Sequence, residues 1–565
     1  MVPDVSETFG PVARASRYRG ERSVRTALRC APAAGVLLLA LSAAAAGLPG
    51  DSLPGLGSGS TDTLPPSTSR PADALSAGAA RGTGLRIRPY VSITETLTDN
   101  VGLTPKGQSD LITQISPGFL LDDVGPRANV HIDYSIQNNV YIQDSGRNSN
   151  NQQLLGAGHA ELVKNLFFVD AAATIRQENI SLLGPISSSN ANSTGNLGTV
   201  HTYSLSPYLK HRFGTEATGE VRYTFDRVEA SGGDLTSSNG NRLTATLLSG
   251  SAFHNWGWGL NYDKQKTDYK SAQSFDTELV GANARFHVRP KFDLLATGGY
   301  EDNNFISSGR QPKGAFWSAG ASLTPSLLTS ISATFGRRYF GKTYSLNAAH
   351  RTAHSNWTLS YAQDLVTTRG QFLVPASIST VSVLEALLRT RIPNPAERSQ
   401  IISDLIAQGL PATLANPVNF FSNEVFLEKR LQASVALDRR RSVWVLTAFD
   451  VVRDSQSKGQ ARSLLLGNSD FSTSGSIKQR GAGAVWSVRL APLTTANLSV
   501  NYSREDFVET GREDKIALVS LGVSRQFNSR VSGTVNYRRV QRDSSQSGNE
   551  YRENALTGTV NIFFQ

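Results

Sequence analysis

From Leu85 to the C-terminus, apolar and polar residues alternate with a period of two. The clearest stretch sets Ala217, Gly219, Val221, Tyr223 and Phe225 against Thr218, Glu220, Arg222, Thr224 and Asp226. The same alternation recurs at 169–175, 256–262, 292–300, 331–335, 496–502, 531–537 and 556–564. Successive side chains of a strand point to opposite faces, so each segment has one apolar and one polar face. The segments run about 9–12 residues, long for a soluble sheet and right for a tilted strand that crosses a bilayer. Short turns, at 122–127, 164–165, 213–216, 254–255, 290–291, 325–326, 354–356, 438–441, 491–495 and 527–529, alternate with longer polar segments. Those lie at 98–109, 143–153, 177–197, 229–241, 264–274, 302–313, 454–473, 503–514 and 541–550, with 340–342 the short member of the class. Tight turns at one end and long loops at the other predict an all-β, single antiparallel up-and-down transmembrane barrel of about 22 strands, within a range of 16–22. An even count places both chain ends on the periplasmic side of an outer membrane.

A soluble β-sandwich also alternates. Against it stand the number and length of the segments and faces rich in Ala and Gly as well as Leu and Val, which lipid accepts and a close-packed core does not. Aromatic residues gather near segment ends (Tyr134, Tyr141, Tyr203, Tyr208, Trp256, Trp258, Tyr339, Trp357, Tyr361, Tyr537), the placement of an interfacial girdle. Composition agrees: charged residues are 18 %, with 49 Gly, one Met and one Cys in 565 residues. Thiol chemistry and Cys-ligated zinc have only Cys30 to work with.

The first 46 residues read as a secretory signal. Six arginines between Arg14 and Arg29 precede an apolar run from Ala31 to Ala46 that ends in Ala44-Ala45-Ala46, a small-x-small cleavage pattern. Cleavage there leaves a chain without cysteine. Residues 47–83 form a Pro-, Gly- and Ser-rich linker expected to be disordered, and 84–565 form the barrel. A linker this short argues against the folded N-terminal plug of ligand-gated siderophore uptake.

The barrel's opening, Ile87-Arg88-Pro89-Tyr90 followed by Glu95-Thr96-Leu97-Thr98-Asp99-Asn100-Val101, resembles a known family, as do Pro117-Gly118, Asp133-Tyr134 and Tyr551…Asn554…Phe563. That family is the outer-membrane β-barrel proteins of the PEP-CTERM/exosortase system, porins found near exopolysaccharide genes. The resemblance implies an outer-membrane location in a Gram-negative bacterium and a role in polysaccharide export or assembly, and it supplies no catalytic residues. The ending Ile562-Phe563-Phe564-Gln565 is similar to the signal read by the barrel assembly machinery, with Gln565 following the aromatic.

No catalytic or cofactor motif appears. His350 and His354 have i,i+4 spacing, but at a strand-to-turn junction with no third ligand, so no metal or other cofactor is expected. No Gly-x-Ser-x-Gly elbow is present, which makes an outer-membrane hydrolase the weakest reading. Basic residues are interleaved with acids, so nucleic acid is not an expected partner. By parity Arg176, Glu220, Arg222, Asp226, Asp263, Arg285, His287, Arg289, Arg338, Arg489 and Arg538 face inward as pore-lining candidates, where water spares them the lipid penalty. The segment 369–422 differs in texture. Stretches at 384–389 and 395–408 have helical character, and Ile401, Ile402, Leu405 and Ile406 share a face. A barrel this wide is usually plugged, so the insert is expected to gate the pore. The sequence thus predicts a non-enzymatic channel for exopolysaccharide or a similar polar solute. The alternative is an anchoring barrel with a closed pore that holds extracellular polymer. Expected partners are outer-membrane lipid, the assembly machinery and exopolysaccharide export proteins.

Overall fold

A computed structural model describes residues 84–231, 237–270, 274–305, 307, 311–373, 384, 388, 417–457, 470 and 475–564. The signal and linker expectations for 1–83 lie outside the described residues.

The alternating segments become strands β1 (Arg86–Thr98), β2 (Asp110–Val124), β3 (Ala128–Tyr141), β4 (Ser149–Val163), β5 (Phe167–Asn179), β6 (Leu197–Phe213), β7 (Ala217–Ser231) and β8 (Ser238–Ser249). The chain continues with β9 (Trp256–Tyr269), β10 (Phe275–Arg289), β11 (Phe292–Asn303), β12 (Lys313–Ser326), β13 (Thr329–Arg338), β14 (Gly341–Arg351) and β15 (Ser355–Thr367). A short helix α1 (Thr368–Leu373) precedes β16 (Val425–Asp438), β17 (Ser442–Ser455), β18 (Ser476–Ala491), β19 (Thr494–Phe507), β20 (Arg512–Gln526), β21 (Val531–Ser544) and β22 (Tyr551–Phe563). Every strand pairs antiparallel with its sequence neighbour, and β22 pairs with β1 from Tyr90↔Phe563 to Thr98↔Ala555. The sheet is therefore a closed up-and-down barrel of 22 strands, and closure leaves no edge exposed. On the inner side of the closing seam, Ser92 donates to Asn561 (2.5 Å), while Thr94 pairs with Thr559 (3.0 Å) and Thr96 with Thr557 (3.2 Å).

The strands run from 10 residues in β13 to 17 in β6, and most are longer than the alternation predicts. The excess lies at the loop end, where polar strand continuations read in sequence as loop. An exception is the β13–β14 hairpin, whose tip at Tyr339-Phe340 stops short. Arg338 fills the notch by bonding Glu301 on β11 (2.5 Å) and Asp364 on β15 (3.0 Å).

The two faces differ as the period demands. Val221, Tyr223, Phe225, Leu260, Leu294, Phe335, Leu521 and Val535 are among many large apolar side chains left exposed on one face all round the barrel. Water-soluble monomers rarely expose so extended an apolar surface, and lipid accommodates it. Inserted loops meet the other face, which makes it the lumen.

Candidate functional site: a crossed lumen

The lumen is crossed at the loop end by two segments. The first is 180–196, which joins β5 to β6. Its stretch Ile180-Ser181-Leu182-Leu183-Gly184-Pro185-Ile186 is apolar, unlike the serines and asparagines that follow. Burial explains where it goes. Leu182 and Ile186 pack among Phe426, Ile477, Phe507, Ile516, Val540 and Tyr551, inward residues of β16 and β18–β22. Further along, Ala191 packs with Ile112 and Tyr141 of β2 and β3. The loop thus leaves one wall and docks on the wall nearly opposite.

The sequence reading of 177–197 as a polar segment departs from the structure here: an internal apolar cluster forms between loop and wall.

A buried backbone needs partners, and the far wall supplies charged ones. Arg542, fully buried, donates to Leu182 O (2.8 Å), Gly184 O and Asp514 Oδ2 (2.7 Å). Arg512 donates to Leu183 O (3.0 Å) and shares Asp514 (2.9 Å). Tyr551 donates to Ile186 O (2.8 Å), and Tyr141 to Ala191 O (3.0 Å). Asn192 donates to Glu553 (2.7 Å), which also accepts from Arg538 (3.0 Å) and Thr98 (3.0 Å). From the β17–β18 connection, Asp470 accepts from Ser181 Oγ (2.5 Å) and Leu182 N–H (2.9 Å). Burial pushes the Asp470 carboxyl up to about 6, opposed by those two bonds and by Arg512.

The second crossing segment is the described part of the 369–422 insert. Helix α1 leaves β15 and reaches β7 and β8, where Arg369, almost fully buried, bonds Asp226 and Ser238 Oγ (2.7 Å). Gly240 makes this approach possible, because a Cβ there would stand 2.5 Å from Arg369 Nη2 and from Asp226 Oδ1. Phe372 and Phe421 meet edge to face at 5.6 Å, packed with Val200 and Val228 of β6 and β7. Phe421 N–H donates to Ile180 O (2.8 Å), so the two crossing segments are joined. Leu384 and Leu388 are helical and buried. The other residues of the helical stretches at 384–389 and 395–408 lie outside the described residues.

Eight of the eleven predicted inward residues are engaged in ion pairs. Arg176 pairs with Glu178 (2.6 Å) and lies over the Phe372 ring at 5.7 Å. Arg222 bonds Asp170 (2.7 Å) and Glu220 (3.1 Å) while covering the Tyr208 ring at 3.7 Å. Asp263 pairs with Arg242 (2.7 Å), His287 with Asp293, and Arg538 with Glu553. Two further His–Asp pairs, His131–Asp122 and His159–Asp170, are 2.6 Å each. Arg338 sits in the wall notch, and Asp226 anchors the insert. Arg285 holds an inward register position, and Arg489 holds one exposed at the turn end. Arg289 departs from the parity expectation. A bulge between His287 and Arg289 sets it opposite outward-facing Phe292, because the extra residue flips the face. His350 Nδ1 contacts Thr329 Oγ1 (2.8 Å). Among the described residues no group of three or more His, Asp or Glu could hold a metal ion.

A family model described as "Putative beta-barrel porin 2" matches residues 458–564. The match covers 107 of 565 residues and ends with the last strands of the barrel; the closed wall with its apolar outer face is the fold of a transmembrane β-barrel. Solved structures similar to it include the siderophore receptor PirA from Acinetobacter baumannii, 7 % identical over 86 % of this chain and 81 % of that one at a TM-score of 0.44. A mutant of the ferric enterobactin receptor PfeA from Pseudomonas aeruginosa is 8 % identical over 86 % and 81 %, at 0.43. The ferric-catecholate import receptor Fiu from E. coli K12 is 9 % identical over 84 % and 81 %, at 0.42. No protein of curated function matches the chain.

Proposed function

We propose that this porin-like barrel is a non-enzymatic outer-membrane channel that assists passage of an exopolysaccharide or a similar large polar solute. The observation that carries the reading is the lumen: a closed wall of 22 strands, lined by paired charges and hydroxyls and narrowed by segments docked from within. Such a lining offers donors and acceptors at many heights, which suits a hydrated polymer rather than a lipid. The resemblance of 87–101 and 551–563 to the PEP-CTERM/exosortase-system barrels supports a polysaccharide solute and export proteins as partners. Long loops on one side support an extracellular loop end, with both chain ends periplasmic. The aromatic ending at Phe563-Phe564 supports insertion by the barrel assembly machinery. In this reading the 369–422 insert, whose ends sit in the lumen, acts as the gate.

One observation favours a second reading. Segment 180–196 and the insert are joined across the lumen, as an anchoring barrel with a closed pore would require. Planar-bilayer recordings of the full-length protein with and without acidic exopolysaccharide separate the two. Steps interrupted by the polymer support passage; a folded, inserted and silent barrel supports anchoring.

A further inference from the structure

The charge of the barrel is unevenly placed. Residues 84–565 hold 48 Arg and Lys against 40 Asp and Glu. The ten short turns with three residues on either side, together with 84–88 at the start of β1, hold 14 basic and 6 acidic residues. All the other residues of 84–565 balance at 34 of each. The whole excess of positive charge therefore sits at the turn end. Arg86, Arg88, Arg212, Arg351 and Arg489 stand at inward register positions just inside the mouth. The run Arg439-Arg440-Arg441 is exposed on the turn between β16 and β17. Of the six acids, Asp122 is already bonded to Arg88 (3.2 Å) and His131, and Asp293 to His287.

We propose that the turn end is a basic collar that captures an extended anionic polymer, one bearing carboxylate or phosphate groups, and feeds it to the lumen. The inference rests on the channel reading and names the solute class and the end at which it is received. Focused like charge at a mouth with low-dielectric walls raises the local concentration of the opposite ion. The placement selects the occupant. Bilayer headgroups meet the outward face, whereas five of these arginines point into the mouth, where a chain can thread and a folded acidic protein cannot. Beyond the collar the rest of 84–565 carries equal numbers of basic and acidic residues, so a captured polyanion is not held along its whole path.

Binding is measured by calorimetry on the full-length protein in detergent, which keeps the test independent of conduction. The probes are oligo-alginate for carboxylate, polyphosphate for phosphate, dextran as the neutral chain and β-lactoglobulin as a folded acidic protein. One or both anionic chains are expected to bind, and dextran not to. Affinity should fall at least tenfold between 0.05 and 0.5 M salt as screening shortens the field. The triple variant Arg439→Gln, Arg440→Gln, Arg441→Gln should weaken binding at least tenfold. Lys478→Gln, Arg480→Gln, Lys515→Gln at the loop end should leave it unchanged, with both folds verified by heat-modifiable migration. Absence of binding by either anionic chain, equal loss from the two triples, or binding of β-lactoglobulin in place of the chains overturns the proposal. A protein that conducts but binds neither chain would spare the channel reading while refuting the collar.

Discussion

Arg542→Met tests how segment 180–196 is held across the lumen. The fully buried guanidinium gives two bonds to loop carbonyls, Leu182 O and Gly184 O, and one to Asp514. Methionine keeps the apolar stem and removes the donors. Each bond from a charged donor is worth about 1.5–3 kcal/mol, and a buried carbonyl left alone adds a desolvation penalty. Asp514 keeps Arg512 at 2.9 Å, so that carboxylate is not orphaned. The loss should therefore sit near about 3 kcal/mol, the lower end of the range for breaking a buried ion pair. That changes the docked-to-undocked ratio about a hundredfold. The barrel ladder around β21 is untouched, so global unfolding in urea should barely move. The assay is maleimide labelling of Ile186→Cys in a Cys30→Ser background, with and without Arg542→Met. Labelling should accelerate by about two orders of magnitude, with noisier and larger single-channel steps. Labelling rates within twofold of each other would refute the docking argument.

Other expectations follow from the same contacts. Arg369→Met should free helix α1 from β7 and β8 and raise conductance, and Gly240→Ala should do so in milder form by forcing the Arg369–Asp226 pair apart, at a cost of about 1–3 kcal/mol. Docking should depend on pH through Asp470. Its carboxyl, raised to about 6 when docked and near 3.8 when free, takes up a proton on docking, so docking strengthens as pH falls from 6 towards 4 and is weakest above 6. Conductance should be lower at pH 5 than at pH 7.5, and Asp470→Asn should flatten that part of the dependence. The hydroxyl pairs at the seam should contribute modestly. Replacing Thr94, Thr96, Thr557 and Thr559 with Val should lower the urea midpoint of unfolding by an amount equivalent to about 1 kcal/mol, as cross-strand pairs of this kind are worth some tenths each.

The barrel was legible because its information is local. A period of two fixes the faces, and turn length fixes the direction, so the strand count of 22 emerges without any knowledge of contacts. Parity also put Arg222, Asp263, Arg338 and Arg538 on the inner face, but it carries no news of what lies opposite. The partners Asp170, Arg242, Glu301 and Glu553 come from other strands, and pairing turned an apparent basic lining into a balanced one. Arg289 failed because a bulge is a single-residue event that alternation cannot register. Alternation alone makes 177–197 one more polar loop. The signal is present in Ile180, Leu182, Leu183 and Ile186, too apolar for a solvated loop, yet its docking site is assembled from β16, β18–β22, β2 and β3, strands that local pattern does not connect to it. The insert at 369–422 stands out by texture alone, and Arg369–Asp226 ties one end of it to the lumen wall.

The most direct test of a channel narrowed from within is the single-channel conductance of the full-length protein beside a variant with 182–194 replaced by a short Gly-Ser linker. A lumen crossed by this segment predicts small, stable steps in the native protein and severalfold larger steps once the segment is gone. Equal steps from the two proteins, or silence from both despite normal insertion, would contradict it.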